Sequence, residues 1–164
     1  MGGTGNGRSE GLGAQAAVAF EIGDHVLGAL NMYDVPTPEG ADLAMAVPIT
    51  PKVVNTRGGL QGGLVATLVD VAAGRAVAYG MPDGDSAATA DLNIRYLSPV
   101  SVGPAVAVVR VLRRGRSLTV AEVTVHDEGR DVVAAIATLS FVTVPLRPGQ
   151  SHARDIKPHR QPNP

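Results

Sequence analysis

One carboxylate and a run of glycines carry the chemistry open to this sequence. Asp70 stands between Val69 and Val71, where an ionised group without a partner is costly. Just upstream lie Gly58, Gly59, Gly62 and Gly63, and glycines let backbone N–H groups come close to a bound group. Such donors can stabilise developing negative charge, while a carboxylate can act as base or nucleophile. Asp70 also has a plain structural reading, as the wet edge of a helix or the partner of a nearby arginine.

The element that must position these groups runs from Gln61 to Tyr79. It is long enough for a helix of about five turns at ~3.6 residues per turn. Leu64, Leu68, Val71 and Arg75 recur at helical spacing, and the remaining positions are mostly apolar or small. A helix apolar nearly all round is predicted to be buried. Gly62 opens it with a free N–H, and Asp70 follows ~12 Å along the axis at ~1.5 Å per residue. Both groups would have to lie ~3 Å from one reacting centre, which a single chain cannot arrange. A twofold partner with an antiparallel helix can, by placing its Asp70 beside this Gly62. If this is the site, it is shared across a dimer interface.

Strands flank the helix. His25 to Tyr33 is an apolar strand candidate, and Leu43, Met45 and Val47 alternate as in a half-buried strand. After the turn signal Pro82-Asp83-Gly84-Asp85 come four strands, about Ala87–Tyr96, Ala105–Leu112, Leu118–Val125 and Val132–Val144, with a hairpin turn at Asp127-Glu128-Gly129. Short turns between consecutive strands predict an antiparallel meander. One buried helix under a strongly curved sheet gives an α+β architecture. Residues 1 to about 15 are Gly-rich and read as a flexible arm, 16–146 as a single domain, and 147–164 as a Pro-rich tail with no core-forming pattern. His152 and His159 in that tail are expected to be solvated.

Composition removes several classes. The 164 residues carry a net charge of -1 with no cysteine, which argues against nucleic acid or an anionic membrane as main partner and excludes disulfides and thiolate chemistry. No cluster has metal-ligand spacing, and no uninterrupted apolar run reaches the ~20 residues of a bilayer span. With no signal-peptide pattern at the N-terminus, a cytoplasmic location is expected.

Asn55, Gln61-Gly62-Gly63, Leu68-Val69-Asp70 and Ala90-Asp91-Leu92-Asn93 together resemble the hot-dog fold acyl-CoA thioesterases of the phenylacetate-pathway type. Their pattern is Asn, five residues, His-Gly-Gly, seven residues, Asp, then a strand with a D-x-N element; the related hydroxybenzoyl-CoA thioesterases use Glu for the Asp. The similarity extends from about Asp42 to Val144. Gln61 departs from it, standing where most relatives carry His.

The resemblance implies a curved antiparallel sheet wrapped around one long central helix, a dimer or a dimer of dimers, and hydrolysis of an acyl- or aryl-CoA to acid and CoA, with no cofactor beyond the substrate's own CoA. Under it, the Gly62 N–H would polarise the thioester carbonyl, the partner's Asp70 would activate water or attack directly, and Asn55 would orient the water or the carbonyl. The Gln61 amide can donate as a neutral His would but cannot titrate. Gly63 belongs to the same binding turn, and Thr89 sits where relatives often place a hydroxyl near the catalytic water, or is simply a strand-face threonine. Arg113, Arg114 and Arg116 could meet the CoA phosphates or form a solvated basic turn. Arg75 could pair with a carboxylate or reach the pantetheine path. Asp91 and Asn93 share one strand face and suit a structural role at the dimer interface, Gly74 could admit a close neighbour, and His25 and His126 have no assigned role. Two other functions compete: a non-catalytic acyl-CoA sensor, against which Asp70 speaks, and a hot-dog hydratase or dehydratase, whose usual helix His is missing.

Overall fold

A computed structural model describes residues 26–155. The predicted helix forms as α2, Gly62–Tyr79, with Gln61 as N-cap. The Gln61 side-chain oxygen accepts from the Gly63 N–H at 2.5 Å and the Leu64 N–H at 3.3 Å, satisfying two of the orphan donors of the first turn. At the other end the Arg114 guanidinium donates to the Val77 and Ala76 carbonyls at 2.9 and 3.0 Å, a cation placed on the negative end of the helix.

Leu68, Val69, Ala72 and Ala76 of α2 are buried, each side chain the size of Leu or Val contributing about 1.5–3 kcal/mol. Burial all round is not realised, however. Ala66, Thr67, Asp70, Val71 and Gly74 are half-buried and form a stripe along the less covered side of the helix, where Asp70 meets Thr89 of the edge strand Asp85–Tyr96. By length and mean hydropathy of 1.2 the helix could cross a bilayer, but its buried half is the core of this domain.

The sheet has six strands: β1, Tyr33–Asp34; β2, Leu43–Val47; β3, Asp85–Tyr96; β4, Ala105–Arg114; β5, Leu118–Asp127; and β6, Val132–Pro145. Their order is β1-β2-β4-β5-β6-β3, all pairs antiparallel. Packing against β2 through β6, α2 lies in the hollow of the sheet, the α+β hot-dog arrangement. The meander expectation holds for β4, β5 and β6 and fails for β3, which pairs with β6 from Asp85↔Pro145 to Tyr96↔Ala135. The link from Leu97 to Pro104 is too long for a tight hairpin and carries the chain to the far side of the meander.

Three other expectations change. The segment from Val26 to Tyr33 is not a strand: Val26–Ala29 is a short helix, α1, Asn31 takes a left-handed φ of 49°, and only Tyr33–Asp34 extends. Asn tolerates that conformation where a β-branched residue would not. Strand β2 is buried at all five positions, since Tyr33 covers the outer face together with Ala46 and Val106. The segment after Pro145 also docks in part, with residues 153–155 forming a 3-10 turn against α2. Arg154 pairs there with Asp83 and donates to the Met81 carbonyl at 3.1 Å, and His152 is buried rather than solvated. The arm 1–15, His25 and His159 lie outside the described residues.

Arg75 finds a carboxylate. Its guanidinium is buried, pairs with Asp34 at 2.5 Å and donates to the Tyr79 hydroxyl at 3.0 Å, tying β1 to the helix. Burial alone would lower its pKa, but the Asp34 hydrogen bond and charge, with Tyr79, outweigh this and hold it above the ordinary arginine value.

Candidate active site

A β-bulge fixes which residues of β3 face the helix. Thr89 pairs with Phe141 and Asp91 with Ser140, leaving Ala90 as the extra residue. Strand side chains alternate with period two, so without the bulge Thr89 and Tyr96 would face opposite sides. With it both face α2. The Thr89 hydroxyl donates to Asp70 Oδ1 at 2.8 Å, and the Tyr96 hydroxyl donates to the Gly62 carbonyl at 2.7 Å. Asp91 and Asn93 lie exposed on β3, and Asn93 lines the outer sheet face beside Arg95, Glu122 and Thr138.

At the start of α2 a cavity of about 330 Å³ is lined by Asn55, Gly62, Val65, Tyr96 and the segment Leu97–Val100. The Leu60 N–H donates to the Val100 carbonyl at 2.7 Å and the Asn55 N–H to the Gly59 carbonyl at 2.7 Å, holding the glycine turn against that segment. Asn55 Oδ1 accepts from the Arg57 N–H at 2.9 Å, leaving its amide N–H₂ free to face the cavity. The Gly62 N–H has no acceptor among the described residues, whereas the Gly63 N–H is taken by Gln61. Because Oε1 of Gln61 accepts two backbone N–H groups, its N–H₂ is the end left to donate.

Asp70 is not in this cavity. It lies half-buried on the exposed stripe of α2, with one carboxylate oxygen held by Thr89 and no cation paired with it among the described residues. The structure thus brings together Asn55, Gln61, Gly62 and Gly63 at one end, and Asp70 with Thr89 at a separate station ~12 Å along the same helix. The arginines part company as well. Arg114 is spent on the last carbonyls of α2, while Arg113 on β4 and Arg116 in the following turn are exposed and unpaired among the described residues. A Cβ at Gly74 would meet only Phe141 Cε1, at 3.7 Å, so the chain itself does not demand glycine there.

Two residues escaped the sequence reading. Tyr96 gives no signal beyond an aromatic at a strand end. Asp127 reads as a turn residue, yet it is fully buried: Oδ2 accepts from the Ser101 and Val102 N–H groups at 2.8 and 3.2 Å, and Oδ1 from Gly103 at 2.6 Å. Burial works against its charge, but these donors together with Arg130 outweigh it and hold the carboxyl below the ordinary aspartate range.

Known proteins resemble this chain in sequence and fold. The thioesterase superfamily profile matches residues 58–134, a span that includes Gly62, Asp70, Thr89 and Tyr96. A candidate esterase of Halobacterium salinarum is 34% identical over 119 residues, covering 68% of this chain and 77% of that protein. A Bacillus halodurans protein solved with CoA is similar at 35% identity and a TM-score of 0.59, over 62% of this chain and 66% of that one. A Haemophilus influenzae thioesterase shares the fold with a TM-score of 0.69 at 17% identity, covering 79% and 94%.

Proposed function

The chain belongs to the thioesterase superfamily and is a thioester hydrolase, and from that premise we propose that it cleaves an acyl- or aryl-CoA at a site completed by a second copy of itself. The observation that carries this reading is the pair of half-sites on α2. A cavity with a free Gly62 N–H lies at one end, and a half-buried carboxylate with no cationic partner among the described residues sits about two turns on, held by Thr89 of the edge strand β3. An antiparallel partner helix joins the two halves.

In that complex the thioester carbonyl oxygen points at the Gly62 N–H, helped by the Gln61 N–H₂, and the helix dipole favours the charge that develops there. The partner's Asp70 acts on the opposite face of the carbonyl. Thr89 holds one of its oxygens, leaving the other to take a proton from water or to attack carbon itself. When water attacks, its oxygen replaces sulfur on the carbonyl carbon and the proton taken by Asp70 passes to the leaving thiolate. When Asp70 attacks, the C–S bond breaks to leave an acyl anhydride on Asp70, and water then hydrolyses it to the acid and supplies the thiol proton. A CoA-bound relative supports CoA as the leaving thiol, with Arg113 and Arg116 free to meet its phosphates. The half-buried stripe of α2 and the 12-residue outer edge of β3, unpaired among the described residues, support a face that meets another copy. Solution in the cytoplasm, as a dimer or a dimer of dimers, is the setting this reading requires.

The test is thiol release from short, medium, long and aryl acyl-CoAs by wild type and Asp70→Asn. Hydrolysis that collapses by about 10²-fold or more in the variant is expected. If wild type releases no thiol yet an acyl-CoA raises its melting temperature, the protein is a binder and the hydrolytic reading fails. Mixing Asp70→Asn chains with Asn55→Ala chains should restore activity through hybrid dimers, and no recovery after verified subunit exchange would sink the shared site.

A further inference from the structure

We propose that Tyr96 is a positioning residue that, together with Gln61, locks the peptide between Gly62 and Gly63 and so anchors the helix start from which the Gly62 N–H is aimed; the functional part of this rests on the thioesterase reading above. The two ends of that one peptide unit are held from opposite sides. Its carbonyl, on Gly62, accepts from the Tyr96 hydroxyl at 2.7 Å, and its N–H, on Gly63, donates to Gln61 Oε1 at 2.5 Å.

Such a clamp answers a specific problem. Two successive glycines have the widest range of backbone conformations of any pair, and a first-turn peptide has few intrahelical bonds to hold it. Nothing in the bare Gly62-Gly63 sequence sets the plane of that peptide. The Gly62 N–H lies on the preceding peptide, whose tilt against the held one is set by φ and ψ of Gly62, so a fixed Gly62–Gly63 plane is the base from which that N–H is aimed at the oxyanion. Tyr96 supplies the missing constraint from the sheet. Its ring lies 3.7 Å from where a Gly62 Cβ would stand, so ring and hydroxyl together seat the start of the helix against the end of β3. The Ala90 bulge is what turns Tyr96 to this side. Tyr96 is also half-exposed and forms a wall of the Gly62 cavity, so it stands at the site without contributing much to the core.

The experiment is Tyr96→Phe, which keeps the ring and removes the hydroxyl. Two readouts are taken on the folded protein: amide hydrogen exchange at Gly63, and steady-state kinetics with an acyl-CoA that wild type hydrolyses. Exchange at Gly63 should quicken, and kcat should fall about 10- to 100-fold with KM within about twofold, because aim rather than ground-state binding is lost. A merely structural tyrosine would lower the melting temperature and leave the ratio of kcat between variant and wild type near one. Unchanged Gly63 exchange in Tyr96→Phe overturns the clamp whatever the activity, and quickened exchange with unchanged kcat overturns its catalytic consequence. If wild type hydrolyses no acyl-CoA, the thioesterase reading fails, and the exchange result alone still decides whether Tyr96 holds the peptide.

Discussion

Replacing Asp127 by Asn changes one atom and breaks a loop anchor. The carboxylate is completely buried and accepts three backbone N–H bonds from Ser101, Val102 and Gly103. An amide has one accepting end. If its oxygen takes the place of Oδ2 it keeps the Ser101 and Val102 bonds, and its N–H₂ then faces the Gly103 N–H, donor against donor. One bond to a charged acceptor, about 1.5–3 kcal/mol, is lost, and two others are weakened to neutral strength of about 1 kcal/mol each. A total of about 2.5–7 kcal/mol follows, of which even ~3 kcal/mol lowers Tm by roughly 6–12 °C at ~2–4 °C per kcal/mol for a chain of this size. Arg130, 3.7 Å away and partly exposed, adds little.

The same bonds fix the sign of the pH dependence. The folded-state pKa of Asp127 is depressed, so its contribution is fully present above the unfolded value of about 3.9 and is lost as pH falls through the lower folded value. Thermal melts of wild type and Asp127→Asn should therefore differ by a constant amount above about pH 5, and the gap should close below about pH 4. Equal melting temperatures at pH 7 would refute the anchor. A gap that persisted undiminished in acid would refute the charge as its source.

Further outcomes can be checked with equally simple measurements. Asp34→Asn should destabilise by about 3 kcal/mol in denaturant melts and Arg75→Met by about 1, because the first strands a buried guanidinium while the second leaves a half-exposed carboxylate and removes a buried, unpartnered Nε. Gly80→Ala and Arg114→Ala should each lose about 1–2 kcal/mol and add to little more than either alone, since a Cβ at Gly80 pushes the Arg114 guanidinium off the end of α2. Thr89→Val should lower kcat about tenfold with a normal melt, by freeing the Asp70 carboxylate to rotate. Single turnover in ¹⁸O-water tests the nucleophilic role of Asp70: label appearing in its carboxylate means attack by the side chain, through an acyl anhydride that water opens at the Asp70 carbon.

Much of this molecule was legible in its residues, and the gaps have physical causes. The helix could be read because an apolar run of that length with glycines at its start has few alternatives, and β4 to β6 because turn residues mark short connections between neighbours. Strand order beyond neighbours leaves no such mark. Nothing in Leu97–Pro104 says that β3 pairs with β6. The run from Val26 to Tyr33 misled because a short apolar stretch fits helix and strand equally, and Asn31 decided it. Motif spacing exposed Asn55, Gln61, Gly62 and Asp70, whereas Tyr96 acts through a hydroxyl that meets a backbone carbonyl 34 positions away in the chain. Asp127 was hidden by its type: aspartate at a turn usually means solvent, and only the fold reveals the three N–H groups aimed at it.

The placement of β3 beside β6 has a consequence for how the protein comes into being. Sequence-neighbouring elements can meet as soon as they are made, but β3 has no strand to pair with until residues 132–145 exist, and contacts of such long separation close late. Thr89 and Tyr96 ride on that strand. During synthesis α2 is therefore exposed beside an unpaired β3 while β4 and β5 are still being made, a state that invites association with other chains. The last stretch of the sheet to be translated is what converts a sticky intermediate into a protein whose Thr89 and Tyr96 reach Asp70 and Gly62. Chains cut short before β6 should be both inactive and aggregation-prone, with the two defects arising from one missing strand.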